Sequence, residues 1–429
     1  MQRFKRSRGA AAAAIGLVAV AAGRASEPNP APLGVITLTA ALTRARMQNP
    51  ELRAAAQEVE IARSRVQQAR VLSPFNPEIG GEGAHRERNE PGESGSVVDF
   101  SISLSQQIEL GGQRGARIQE AEQHLARAEA MRRDQHRVLD AEVQRAFFQV
   151  IANQRRVELL RAIEALGQRV RAAAVARVQA GESPALEANL ATIRFADARR
   201  ATLAAEADGD VALSGLRRLL DIDQGELLTP TGELRPALRE VSVSAAIDHA
   251  LATRADLVAA TREVERAAAE QDLVGRLAIP NPTIEIFHRQ EERGPDRVTG
   301  AGVRIPLPIF DRRSGERAGA TARVSQARLQ VAGLRRTVEQ DVVNAVRRLD
   351  AARRTVAVYD GDVLERMAES YGFVETSYRA GKLDLFQAVV VQNELATAQL
   401  ASLDALVRLR EAAIDLERAV GAPLSEVMP

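Results

Sequence analysis

Residues 36–81, ITLTAALTRARMQNPELRAAAQEVEIARSRVQQARVLSPFNPEIGG, can be laid without a gap on residues 241–286, VSVSAAIDHALATRADLVAATREVERAAAEQDLVGRLAIPNPTIEI, every matched pair being 205 positions apart. The match includes Asn76-Pro77 with Asn281-Pro282 and Glu58-Val59-Glu60 with Glu263-Val264-Glu265, so it rests on more than shared alanine. Further on, at a spacing of 200, Gln179-Ala180-Gly181 meets Arg379-Ala380-Gly381 and Leu219-Leu220 meets Ala419-Val420. A fixed period with Pro and Gly landmarks in register marks one plan used twice, over about 36–222 and 241–423.

Working outward, composition limits how that plan can fold. The 429 residues carry no Gly/Ser/Pro-rich linker, no Cys and no Trp, and aromatic residues make up 3%. That is too few to fill a large round core. Long helices packed side by side through Ala and Leu bury apolar surface without one. Proline placement outlines such helices, since none occurs between Pro91 and Pro184 or between Pro308 and Pro423. Gln113–Ala180 and Ser314–Ala380 each read as one long helix of roughly 100 Å at ~1.5 Å per residue. Apolar and small residues recur along the first at steps of three and four, among them Val138, Ala141, Val150, Val157, Leu160 and Ile163.

The Pro- and Gly-rich stretches of each half change period to two. Val98, Phe100, Ile102 and Leu104 alternate with Asp99, Ser101, Ser103 and Ser105. Ile284, Ile286 and His288 alternate with Glu285, Phe287 and Arg289, and Val303, Ile305 and Leu307 follow a turn around Gly294-Pro295. Each half therefore predicts one hairpin, about 77–108 and 282–308. Strands with one apolar and one polar face suit an ordinary soluble sheet or an outer-membrane barrel. Four strands cannot close a barrel alone, so the second reading requires several chains to share one.

The N-terminus favours the second. Arg3, Lys5, Arg6 and Arg8 precede an uncharged run from Gly9 to Gly23, and Gly23-Arg24-Ala25 suits cleavage after Ala25. Residues 1–25 read as an export signal and 26–429 as a single unit; the apolar run is shorter than the ~20 residues of a spanning helix. With no Cys after it, a lipid-modified N-terminus is excluded. Removal of the signal leaves 53 basic against 57 acidic residues, a net charge near −4, so nucleic acid is not an expected partner.

Helix, hairpin, long helix and return helix, repeated twice after an export signal, resemble the TolC-type outer-membrane efflux proteins over essentially the whole mature chain. QQIELGGQR (Gln106–Arg114) and IPLPIFDRRSGE (Ile305–Glu316), where strand gives way to helix in each half, resemble the branch that serves heavy-metal efflux pumps of the resistance-nodulation-division type. The resemblance implies a mainly α fold with a small β part. Duplicated helical hairpins would form a periplasmic tunnel, and four strands per chain would join a trimeric outer-membrane barrel set in lipid. It implies a passive duct for heavy-metal cations, working as a homotrimer with a periplasmic adaptor and an inner-membrane pump, and without a cofactor. The same duct could instead serve drugs, organic solutes or a type I secreted polypeptide. From another class, the chain could be a soluble periplasmic coiled-coil adaptor or scaffold.

Candidate site residues fall in three groups. At the joints, Gly111-Gly112 supplies backbone freedom, while Pro306 and Pro308 end ladder pairing. At the helix ends, Gly181 and Gly381 permit a reversal of the chain. In the resemblance these ends are the periplasmic tips, with Gly181, Glu182, Ser183, Arg379, Gly381, Lys382 and Asp384 as adaptor contacts, and Glu187 and Gln387 at the tunnel's closure. Gln387 and Val390 stand where relatives place pore carboxylates, and Asp384 one turn earlier is either their substitute or a residue favouring the helix dipole. Catalysis has no support: His85, His124, His136, His249 and His288 are scattered, and no metal-ligand spacing occurs. His85 and His288 are expected on the same side of their strands.

Overall fold

The computed structural model describes residues 34–90, 93–238, 240–290, 297–360, 362–380 and 382–424. The export signal, the turn at Gly294-Pro295 and Gly381 lie outside them. In chain order the elements are β1 (Val35–Ile36), α1 (Leu38–Gln48), α2 (Pro50–Ala69), β2 (Glu78–Glu90), β3 (Glu93–Gln107), α3 (Gln113–Gln179), α4 (Ala185–Leu220) and β4 (Thr229–Pro230). The second half follows with α5 (Val243–Thr253), α6 (Ala255–Leu277), β5 (Thr283–Gln290), β6 (Arg297–Arg304), α7 (Ser314–Tyr359), α8 (Asp362–Arg379) and α9 (Leu385–Val420).

These elements build a wall of long helices with a sheet at one end. Across the wall α2 packs on α3, α3 on α6 and α6 on α7; further from the sheet α4, α3, α9 and α7 lie side by side. Apolar burial is strung along the helices in separate clusters. One gathers Phe147, Phe148, Leu216 and Leu220 of α3 and α4 with Ile36 and Leu228. A second joins Val338, Val342 and Leu349 of α7 to Leu409 and Leu416 of α9 and to Ala246 and Ala250 of α5. A third, at the far end, holds Leu166, Val170, Val374, Tyr378 and Leu385. Alanine at the contacts lets the helices approach closely, and each fully buried Leu or Val stabilises the wall by about 1.5–3 kcal/mol. No helix among the described residues is long and apolar enough to cross a membrane.

The helix breaks have local causes. Asn49 ends α1 and caps α2, its side-chain oxygen accepting from the amides of Glu51 (3.0 Å) and Leu52 (3.2 Å), with Pro50 in the first turn. In the second half Arg254 takes the same place between α5 and α6. Both side chains then reach the last turn of a return helix. Asn49 Nδ2 donates to the carbonyl of Leu219 at 3.1 Å, and Arg254 Nη1 to that of Ala419 at 3.2 Å. The chain leaves those helices through left-handed residues, Asp221 (φ 51°) and Gly421 (φ 86°).

One expectation is corrected. The sequence predicted a single helix over Ser314–Ala380 to match Gln113–Ala180; α3 is indeed continuous for 67 residues, but its counterpart breaks at Asp360, whose ψ of 153° is extended. Asp followed by Gly favours a stop because the short carboxylate competes for backbone groups and Gly costs helix stability. The Asp360 carboxylate is also ion-paired to Arg235 of the connector that follows α4. At the matching place α3 has Leu160-Arg161, which continue a helix.

The sheet has strand order β2-β3-β5-β6, all antiparallel. Register puts Ile79, Leu104, Ile286 and Ala301 in one row across all four strands, and Gly80, Ser103, Phe287 and Gly300 in the next. Successive rows face opposite sides, so one face is apolar and exposed, with Phe100, Ile102, Leu104, Ile284 and Ile286 on it, and the other carries the serines. The outer edges of β2 and β6 have no partner strand among the described residues. His85 and His288 lie on one face but are separated by β3.

The second break can be tested directly. The Arg254 side chain, 7% exposed, pairs with Asp256 at 2.9 Å and Asp341 at 3.1 Å. Arg254→Ala removes the main partner of both carboxylates, leaving Asp256 only Arg137 at 3.7 Å, and is expected to cost roughly 3 kcal/mol, read as a lower melting temperature by circular dichroism. Burial alone would push Asp256 up, but the hydrogen bond and charge of Arg254, the charge of Arg137 and the Leu257 amide outweigh it and hold this carboxyl below its usual value. Stability from a depressed carboxyl is fully present above its unfolded pKa of about 3.9 and is lost as pH falls through the folded value. The gap between parent and variant should therefore shrink below about pH 4.

Candidate functional sites at the two ends of the helical wall

At the sheet end, the residues of Gln106–Arg114 and their neighbours staple strand to helix. Gly112 is left-handed (φ 72°), and a Cβ there would stand 2.5 Å from Arg276 Nη1; one on Gly111 would meet Ile279 at 2.8 Å. Gly112 is required by its left-handed conformation and Gly111 by the close approach of Ile279. Gln113, wholly buried, closes the joint: its Oε1 accepts from the Gly111 amide at 2.7 Å. Its Nε2 donates to Asn281 Oδ1 at 2.9 Å and lies 3.3 Å from the carbonyls of Arg276 and Ile279. One side chain thus ties the two halves together beside the sheet. Arg114 takes the carbonyls of Arg70 (2.9 Å) and Val71 (3.2 Å) at the end of α2, and Arg117 pairs with Glu109 at 2.6 Å. In the second half the ladder stops at Arg304; Pro306 and Pro308 follow outside any strand, and left-handed Arg313 (φ 53°) opens α7.

At the far end, α3 stops in a paired turn. The Glu182 amide donates to the Arg177 carbonyl at 2.9 Å and the Gly181 amide to Val178 at 3.1 Å, with Gly181 left-handed at φ 78°. The same long bond recurs at the end of α8, where the Lys382 amide donates to the Ser377 carbonyl at 2.9 Å. Glu182 and Lys382 are exposed on these turns, and the Arg379 side chain lies outside the described residues. Asp384 caps α9: its carboxylate accepts from the Gln387 amide at 2.7 Å, and the Gln387 side chain accepts in return from the Asp384 amide at 3.3 Å. Both side chains therefore have a capping role.

Behind the turns lies a polar cluster that the sequence did not disclose. Tyr378 is completely buried in the third apolar cluster, with the Arg177 guanidinium 5.4 Å from its ring centre. Its hydroxyl, Glu187 Oε2, Arg177 Nη1 and Ser183 Oγ are all buried without a hydrogen-bond partner among the described residues. Burial first, and then the neighbouring Glu187 carboxylate, push the Tyr378 phenol above its usual value, only partly offset by Arg177. Glu187 and Ser183 were candidates from sequence; Arg177 and Tyr378 were not.

Among the described residues no group of three or more His, Asp or Glu side chains could hold a metal ion. Burial, first of all, holds His124 and His136 below the usual imidazole value; His124 Nε2 lies 3.0 Å from Arg65 and its Nδ1 is buried without a partner among the described residues, while His288 Nδ1 lies 2.8 Å from Thr299 Oγ1.

An open four-stranded sheet, apolar on one face and carried on about 100 Å of helix, is the architecture of an outer-membrane channel subunit. The chain belongs to the outer membrane efflux protein family, whose model matches residues 41–221 and 246–422. It is 27% identical over 389 residues to the cobalt-zinc-cadmium resistance protein CzcC of Cupriavidus metallidurans, covering 90% of each chain. To the outer membrane efflux protein BepC of Brucella suis it is 26% identical over 379 residues, 86% of this chain and 82% of that one. Among solved structures, a membrane protein from Pseudomonas aeruginosa superposes with a TM-score of 0.77 at 20% identity, over 90% of this chain and 92% of the other. The protein is therefore an outer-membrane efflux channel component, with its helical part extending into the periplasm. Family membership removes the soluble scaffold reading.

Two substitutions separate packing from polarity at the far end. Tyr378→Phe keeps the ring and removes only the hydroxyl beside Arg177 and Glu187, and should change thermal stability by about 1 kcal/mol or less. Tyr378→Ala empties a closed apolar site and should cost roughly 3–5 kcal/mol in the same melting experiment.

Proposed function

We propose that three copies of the chain close head to tail into one duct that carries heavy-metal cations out of the periplasm, docked to an adaptor protein and fed by an inner-membrane pump. The unpaired edges of the sheet carry this reading. β2, α2 and α4 lie along one margin of the subunit and β6, α7 and α8 along the other, so joining β6 to the β2 of a second copy continues sheet and wall together. The margins are also apolar. On α4, Leu186, Leu190, Ile193, Leu203 and Val211 are exposed, and on the opposite margin Leu329, Val358, Val363 and Phe373. The duct itself performs no catalysis.

The metal cargo is supported by the likeness to CzcC over nearly the whole of both chains. BepC, matched at almost the same identity, bears a name that specifies efflux without a metal, and favours a rival cargo of drugs or other solutes. Growth limits of a deletion strain, with and without a restoring copy, decide between them. Sensitivity confined to zinc, cobalt, cadmium or nickel is the expected outcome. Sensitivity to drugs and detergents with normal metal tolerance keeps the duct and overturns the cargo.

The far-end turns are proposed as the adaptor contact, through Gly181, Glu182, Ser183, Arg379, Gly381, Lys382 and Asp384. Closure of the duct is assigned to Glu187 and Gln387, with Tyr378 and Arg177 beside Glu187. The support is chemical: four buried polar atoms without partners make a closed state that little energy holds shut, so a docking partner can rearrange it. Gly181→Val forces a branched side chain into a left-handed position. This change, and the equivalent at Gly381, should leave the protein trimeric in the outer membrane and abolish export. Full export by both variants would remove the turns as the docking site.

A further inference from the structure

Every passage between sheet and helix lies at the same end of the sheet, because β2 and β5 begin there and β3 and β6 end there. All four passages expose large apolar side chains. Leu72 before β2 is 86% exposed, Leu110 after β3 70%, and beyond β6 Leu307 is 73% and Phe310 100% exposed; Ile279, before β5, is also exposed. A side chain of this kind gains about 1.5–3 kcal/mol when it leaves water. A band of them across the full width of the sheet calls for an apolar environment.

Three observations say which. First, the band includes Leu110 and Ile279, beside the central strands β3 and β5, whose neighbours on both sides belong to the same chain. A second copy joined at β2 or β6 cannot cover them. Second, the band continues the exposed apolar face of the sheet: Ile305 and Leu307 keep the alternation of Val303, with Pro306 between them, before the chain turns at Ile309, also exposed. Third, the chain has no Trp, and its three Tyr (Tyr359, Tyr371, Tyr378) all lie on α7 and α8, so no Trp or Tyr girdle is available at this boundary.

We propose that Ile305–Phe310, with Leu110, Leu72 and Ile279, form an apolar collar seated in phospholipid at the periplasmic boundary of the membrane. Exposed Arg312 follows it and reaches the headgroup phosphates, whereas Arg304 lies on the polar face of the sheet, paired with Glu285 at 3.2 Å. The proposal rests on the sheet being the membrane part of the duct.

The absence of native Trp allows single-Trp reporters in the full chain. Phe310→Trp, Leu110→Trp, Ile286→Trp on the apolar face of the sheet, and Leu227→Trp in the exposed connector after α4 would each be reconstituted into phosphatidylcholine vesicles. The lipids would carry bromine on the acyl carbons nearest the headgroup, and acrylamide would report on water. The collar positions are expected to emit at shorter wavelength than Leu227→Trp and to lose fluorescence to brominated lipid, while Leu227→Trp responds to acrylamide alone. If Ile286→Trp is quenched by the lipid but the collar positions respond like Leu227→Trp, the collar stands in water and the proposal fails. Collar emission that is shifted but untouched by brominated lipid shows a protein cover, and also overturns it. If Ile286→Trp is not quenched, the sheet is not in the bilayer and the underlying reading falls with the proposal.

Discussion

The last carbonyls of two return helices set the posture of each half. Leu219 is taken by Asn49 and Ala419 by Arg254, each from the break between two short helices on the neighbouring strand of the wall. A helix end leaves carbonyls that must find donors, and where the end is buried the donor has to be a side chain. Because the same carbonyl is caught at the same break in both halves, the short helices lie at the same height along the wall. The hairpins of the sheet are therefore delivered side by side. The chemistry differs: an amide suffices in the first half, whereas the second uses a guanidinium that also needs Asp256 and Asp341. One latch is neutral and the other ionic, so acid bears on the second half more than on the first.

At the sheet the organising group is again a single buried amide. Gln113 accepts from Gly111 two residues before it and donates to residues more than 160 positions away, and its removal would strand Gly111, Asn281 and the end of α6 together. Of the two glycines before it, Gly111 is small because Ile279 presses against it and Gly112 because its backbone is left-handed. Joint and partner loop are thus one structure made from both halves, which is how a chain built from a repeated plan still folds as one wall.

What could be read from the sequence follows from which forces are local. Proline and glycine act on their own backbone, so the order of helices, turns and hairpins was legible, as was the alternation that builds the apolar face. Asp384 and Gln387 show a limit of the same kind: Asp followed three residues later by Gln is a helix-start pattern in the sequence, yet likeness to pore residues gave them another part. The break at Asp360 was missed because no proline marks it. Gln113, Arg114 and Arg117 escaped notice because their partners are carbonyls of distant segments, and a carbonyl has no signature in the sequence. Tyr378 was hidden for a related reason, since a lone aromatic on a helix reads as core until the polar atoms around it are seen to lack partners.

The two margins of the subunit are unlike, one ending in β2 with α2 and α4 and the other in β6 with α7 and α8. A pair of copies joined at one seam still leaves one margin of each kind bare, so no open intermediate is free of exposed strand edge and apolar helix face. In the proposed duct, assembly is then all or nothing in its benefit: a newly exported chain would be at its stickiest alone, and its lifetime in the periplasm would depend on how often it meets its own kind. Supply, rather than the strength of any one contact, then governs how much finished duct a cell holds.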